Sequence, residues 1–154
     1  MAFRVADASK TMLAFPVLTF SQNLVNRKES IRELTRGTKR GLKNDYYDAL
    51  FLVDEKGWRF NVTGARRLRI LPPKNFGDIL GFIEGNPRYE VELMFAPGLP
   101  TAISLDDTRK LIFDSFRREK HPWEAMVDFE EFQDKVAAAI SLQQVFSIFK
   151  EYHV

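Results

Sequence analysis

Two histidines, His121 and His153, supply all the imidazole of the chain, and neither has a metal ligand or a nucleophile at a useful spacing. No His-x-x-x-His or His-Glu-x-x-His pair is present to seat a metal. Cysteine is absent, which removes disulfides, Cys-ligated zinc, iron–sulfur clusters and thiol nucleophiles together. Carboxylates occur as the pairs Asp106-Asp107 and Glu130-Glu131, in stretches that read as first turns of helices, where acids favour the positive end of the dipole. Asp48 and Asp54, on or beside a central hairpin, are the remaining acids that could hold a cation or move a proton. The glycine stretches Gly37–Gly41 and Gly77–Gly85 lack the strand–loop–helix setting of phosphate-binding loops, and there is no Gly-x-Ser-x-Gly elbow. With no catalytic motif, metal site or cofactor site marked, the expectation is a non-enzymatic protein.

Binding chemistry is better represented. Residues 1–72 hold 14 Lys/Arg against 7 Asp/Glu, whereas 101–154 hold 7 against 10. The densest part, Arg27 to Lys43, carries seven basic and two acidic residues. Such a surface can neutralise phosphates, and Tyr46 and Tyr47 just beyond it could stack on bases. The pattern nevertheless lacks a helix-turn-helix or the aromatic motifs of an RNA-recognition sheet. The same residue types also serve as anchors in protein–protein contacts, where Arg and aromatic groups carry most of the energy. Candidate partner-binding residues are Arg36, Lys39, Arg40, Lys43, Tyr46, Tyr47, Arg66, Arg67, Arg118 and Trp123. Trp58 alternates with core positions and is expected in the interior.

The elements that would position these groups are organised around residues 46–70. Tyr46 to Val53 is apolar on both faces near Leu50, Phe51 and Leu52, which predicts a central strand covered on both sides, or on one side plus a neighbouring loop. Asp54-Glu55-Lys56-Gly57 predicts the turn, with glycine where a left-handed residue is wanted. Trp58, Phe60 and Val62 then point inward and Arg59, Asn61 and Thr63 outward, and the strand continues past Gly64. Upstream, Thr11 to Phe20 reads as a strand, its Pro16 suiting an edge or a bulge. Ser30–Leu34 opens a helix or forms a short strand, and Thr38 to Asn44 suits a helical turn capped by Thr38.

Downstream, Pro72-Pro73 stops the sheet, and 74–85 has helical spacing. Arg88 to Phe95 reads as a strand whose Glu90 and Glu92 face Arg59, Arg67 or Arg69 across the sheet. Ser104 caps a helix through Leu105, Thr108, Ile112 and Phe116, which His121-Pro122-Trp123 breaks. Asp128 caps a second helix running to Ile140, and Ser141 a third. A sheet-rich first two-thirds and a helix-rich last third predict a single α+β domain over 1–154, an antiparallel sheet with helices packed on it.

At 154 residues, 45% hydrophobic and 29% charged, the chain has the make-up of a globular domain with a sizeable core. Its longest N-terminal apolar run, Met12 to Phe20, is interrupted by proline and too short to span a bilayer, so no membrane association is expected. The lack of cysteine suits a cytoplasmic setting.

The run Leu42 to Leu68 (LKNDYYDALFLVDEKGWRFNVTGARRL) resembles a pattern in small standalone bacterial proteins. There an Asp-x-x-Gly turn joins an apolar strand to an aromatic–basic strand ending in Ala-Arg/Lys-x-Leu. Some proteins of that style are immunity partners of secreted or contact-delivered toxins. The resemblance implies a binding protein and transfers no functional residue. The functional expectation is therefore a protein–protein interaction module of immunity or regulatory type, with an acidic partner favoured by the basic excess. The alternative is a nucleic-acid-binding accessory protein using Arg27–Lys43.

Overall fold

All five residues of Val17–Ser21 are buried, so this strand needs apolar cover on both faces. The rest of the fold supplies it. The computed structural model describes residues 13–21, 24–38, 49–71, 90–126 and 128–154. Among these the elements run β1 (Val17–Ser21), β2 (Leu24–Lys28), α1 (Ile31–Leu34), β3 (Arg36–Thr38), β4 (Phe51–Asp54), β5 (Trp58–Ile70), β6 (Glu90–Pro97) and β7 (Thr101–Ala102). Helices follow: α2 (Leu105–Arg118), α3 (Lys120–Glu124), α4 (Phe129–Ala138) and α5 (Leu142–Glu151). The strands form one antiparallel sheet in the order β2-β1-β4-β5-β6-β3, with β7 also pairing β5. The fold is α+β, as the sequence predicts.

Alternation sorts the central strands into two apolar layers. Leu18, Phe20, Val25 and Val53 face the helices and pack with Ile112, Phe116, Phe132, Val145 and Phe149. Val17, Leu52, Phe60 and Val62 face the other way, where Leu13, Leu34 of α1 and Leu93 of β6 complete a second cluster. Of the strand expected over 46–53, Phe51–Val53 belong to β4, which lies between β1 and β5 with Leu52 and Val53 buried on opposite faces; Ala49 and Leu50 precede it, and 46–48 lie outside the described residues. Pro16 corrects the expectation of a proline within an edge strand. It precedes β1, after a cis Phe15–Pro16 bond, and β1 is an interior strand.

The turn between β4 and β5 is built on Asp54, which is fully buried. Its Oδ1 accepts the amides of Lys56 and Trp58, each at 3.0 Å, and its Oδ2 accepts the amide of Ala14 at 3.4 Å. Gly57 donates its amide to the Asp54 carbonyl and adopts φ 87°, the left-handed region that glycine enters without strain. Its carbonyl accepts the amide of Ile103 at 2.8 Å, and a Cβ on residue 57 would lie 3.1 Å from the Ile103 carbonyl oxygen. The turn is therefore fixed from three directions: by a side chain, by a backbone dihedral and by the strand that leads into α2.

Strand β5 is long, at 13 residues, because it serves two neighbourhoods. Its first half pairs with β4 and β7, and from Val62 onward it pairs with β6. The register shifts between Val62 and Gly64 and again between Arg67 and Arg69, as bulges do where a strand must bend. The expected cross-strand acids are partly realised: Glu92 is in register with Arg69 on one side and Arg36 on the other, whereas Glu90 opposes Thr38 and Arg67 opposes Leu93. Arg59 pairs with Val53 and Thr101, away from β6.

Caps define the helices. Ser30, Ser104 and Ser141 each accept an amide three residues on, from Glu33, Asp107 and Gln144. Ser30–Leu34 is thereby resolved as a helical turn. Asp128 stands at the N-cap of α4 without a side-chain capping bond, contrary to expectation. The 121–123 stretch lies within the short helix α3, because a proline in a first turn gives up no intrahelical bond. Ile140 is not part of the α4 stripe: that helix ends at Ala138, and Ile140 is 81% exposed. Thr38 ends β3 and begins no described helix. The expected helix over 74–85 and the segments 1–10 and 39–48 lie outside the described residues, and no described helix is long and apolar enough to cross a membrane.

Helices α4 and α5 are tied at their solvent side by Lys135, whose Nζ lies 3.1 Å from Glu131 and 2.8 Å from Glu151. The Glu151 contact chiefly holds the Lys135 ammonium above the usual lysine range, while Lys135 holds the Glu131 carboxyl below the usual carboxylate range.

Two outcomes follow for stability. Gly57→Ala should lower the free energy of urea unfolding by about 1–3 kcal/mol, from forced positive φ and the close Ile103 carbonyl. Asn at that position should recover part of the loss, because it tolerates the left-handed region. For the Lys135 tie, the depressed Glu131 pKa makes its contribution present above about pH 4.3 and lost as pH falls through the folded value. The raised Lys135 pKa makes its contribution full below about pH 10.4 and lost as pH rises through the folded value. Lys135→Met should therefore melt slightly below the parent at pH 7 in low salt, and the gap should narrow as the pH is lowered through the folded Glu131 value and as salt is raised.

Candidate functional site

The helix-side face of the sheet leaves one aromatic side chain at the margin of the helical cover. Phe51 is only half-buried there, flanked by Phe20 from β1 and by Arg59 from β5. The two rings stack at 4.7 Å with planes 5° apart, and the Arg59 guanidinium sits 3.9 Å from the Phe51 centroid. Arg59 also donates from Nε to Asn61 at 3.1 Å. The three-tier stack is a consequence of register: Phe51 opposes Asn61 and Val53 opposes Arg59, so Phe51 and Arg59 are diagonal neighbours on one face. A cation over an aromatic face at such a partly wet site contributes on the order of 0.5–1 kcal/mol.

Helix α2 runs beside this stack and leaves a cleft of about 270 Å³ between itself and the ends of β1, β2 and β4. Phe20, Leu24, Phe51 and Leu111 give it an apolar floor, and Ser21, Asp114, Ser115 and Arg118 its polar edge. A shallower recess of about 370 Å³ continues along the same helix, between Arg59, Thr101 and Ile103 on the sheet side and Asp107 and Lys110 on the helix. Leu111 and Asp114 line both, so the two hollows adjoin along α2 and together make up its trough. Asp114 is held by Arg117, three residues on. Arg118, the last residue of α2, is exposed and makes no ion pair among the described residues. Basic side chains at a helix C-terminus are favoured there by the dipole, so Arg118 is a stable charge beside an apolar hollow.

A second recess, about 500 Å³, opens at the start of α4 and is edged by Glu124, Asp128, Glu130 and Glu131. These acids suit the positive end of that helix. Among the described residues no group of three His, Cys, Asp or Glu side chains converges to hold a metal ion.

The described candidate residues named from the sequence sit on separate elements: Arg36 on β3, Arg66 and Arg67 on β5, Arg118 on α2 and Trp123 on α3. Arg118 belongs to the trough. Arg36 is half-buried on β3, in register with Glu92. Arg66 and Arg67 lie in the second half of β5 opposite Met94 and Leu93, with Arg67 exposed. Lys39, Arg40, Lys43, Tyr46 and Tyr47 lie outside the described residues, as does Asp48. Trp123 is corrected: it is only 4% exposed and packs against Phe116, Phe129 and Phe132 at ring distances of 4.6, 6.5 and 6.2 Å. Pro122 lies in the first turn of α3, which carries the indole into the core, so Trp123 serves the core in place of a partner. Asp54 is likewise occupied, its oxygens taken by the hairpin's own amides.

Of the basic segment, Arg27 is held by Glu29, whose carboxyl it draws below the usual range, while Arg32 is exposed on α1. Phe20, Phe51, Arg59 and Leu111 belong to no binding motif in the sequence. The available signal was the hairpin register, which sets Arg59 diagonal to Phe51 once the turn at residues 54–57 is accepted. The helix bearing Leu111 and Arg118 comes from distant sequence, and nothing local places it over that pair.

Compared with known proteins, the chain matches no family model, and no curated protein or solved structure matches it.

Proposed function

We propose that this protein is a protein–protein interaction module, of immunity or regulatory type and acting in the bacterial cytoplasm, that presents the α2 trough to one acidic protein partner. The observation that carries the reading is the apolar cleft of Phe20, Leu24, Phe51 and Leu111 edged by Arg118, which makes no ion pair among the described residues. Aromatic and aliphatic floor with an arginine at the edge is the composition that concentrates affinity at protein interfaces. The stack of Phe20, Phe51 and Arg59 supports it further, because groups already held in place lose little entropy on binding. The balance along the trough also favours an acidic partner. Arg59, Lys110 and Arg118 line it against Asp107 and Asp114, and Asp114 is already paired with Arg117.

The test is an affinity capture from native lysate, with and without nuclease, using the parent chain, Arg118→Glu and Arg32→Glu. The expected result is one stoichiometric protein that survives nuclease, is retained by Arg32→Glu and is lost with Arg118→Glu. Nucleic acid captured instead, with Arg32→Glu the damaging change and binding that falls steeply with salt, would replace the module reading with the nucleic-acid one.

A further inference from the structure

The cleft specifies the chemistry of what enters it. Resting on the interaction-module reading, we infer that the partner inserts one aromatic or branched aliphatic side chain into the cleft and sets a neighbouring carboxylate against Arg118. At about 270 Å³ the hollow falls below the roughly 300–1,000 Å³ of small-molecule sites, and suits a single anchor side chain with its adjoining backbone. Its floor offers only carbon: Phe20 and Phe51 from the sheet, Leu24 from β2 and Leu111 from α2. The floor is rigid, since Phe20 is 6% exposed and Phe51 is held between Phe20 and Arg59.

The sign of the flanking charge comes from which edge groups are already satisfied. Asp114 has Arg117, and Arg59 lies over Phe51 with its Nε on Asn61. Arg118 makes no ion pair among the described residues and ends its helix at the cleft mouth. A guanidinium presents a planar fork that matches a carboxylate, so an acid within a residue or so of the anchor completes the site. A basic segment would leave Arg118 facing like charge.

The chemistry can be tested without knowing the partner. The 15N-labelled full chain is titrated with N-acetylphenylalanine, with its neutral C-terminal amide and with phenethylamine, while backbone amide shifts are followed. The expected result is saturable binding of the acid, with shifts gathered at Ser21, Leu24, Phe51, Leu111 and Ser115. The neutral amide should bind about two- to fivefold more weakly, as should the acid to Arg118→Gln, since a partly exposed ion pair is lost in each case. Phenethylamine should bind most weakly. The inference is overturned by an absence of saturable shifts with the acid, by shifts gathered elsewhere, by equal binding of acid and amide, or by indifference to Arg118→Gln. Such a failure leaves the module reading standing if the lysate partner still depends on Arg118, so the two can be told apart.

Discussion

A buried aspartate that must find hydrogen-bond donors is the constraint on which the sheet depends. Asp54 lies at the end of a strand covered on both faces, where water does not reach it. An unsatisfied polar group there would cost several kcal/mol, so the chain around it supplies donors: two from the turn that follows and one from Ala14, forty residues earlier. Satisfying one side chain thereby closes the β4–β5 turn and draws the segment before β1 onto the same spot. Gly57 and Ile103 extend the tie to the entrance of α2.

From that anchor the candidate site follows by geometry. The β4–β5 register sets Arg59 diagonal to Phe51, β1 places Phe20 against the other side of the ring, and the Ile103 tie delivers α2 alongside. Helix α2 then turns Ile112 and Phe116 to the core and leaves Leu111 and Arg118 at the margin. The aromatic cluster beneath it fixes that orientation. Phe132 is fully buried and lies within 5.1–6.2 Å of the rings of Phe116, Trp123, Phe149 and Tyr152. Phe113, Phe116, Phe129, Phe132, Phe146 and Phe149 all belong to this helical layer, with the pair at 20 and 51 on the sheet it covers.

Much of the fold was legible because it rests on local chemistry. The turn at residues 54–57, the serine caps at 104 and 141 and the alternation of Phe60 and Val62 all depend on neighbours within four residues. What was not legible rests on distant partners. Trp123 after a proline has the local pattern of an exposed loop residue, and only three phenylalanines from two other helices make it core. Asp54 has the pattern of a cation ligand, and only its burial shows that its oxygens are already taken. Arg59 alternates outward from Phe60 and Val62, but outward from one layer is toward the other when a sheet is covered on both faces. The cleft could not be read at all, since it joins β1, β2 and β4 to a helix more than fifty residues further on.

The most direct test compares urea unfolding of the parent chain with Asp54→Asn and Asp54→Ala, alongside amide exchange at Ala14, Lys56 and Trp58. If Asp54 holds the hairpin as described, Asp54→Ala should lose about 2–4 kcal/mol, with faster exchange at all three amides. Asp54→Asn, which keeps one acceptor oxygen, should lose less and chiefly expose the amides that its nitrogen can no longer serve. Unfolding of Asp54→Ala within about 0.5 kcal/mol of the parent, with the three amides as protected as before, would contradict the account and place the organising interaction elsewhere.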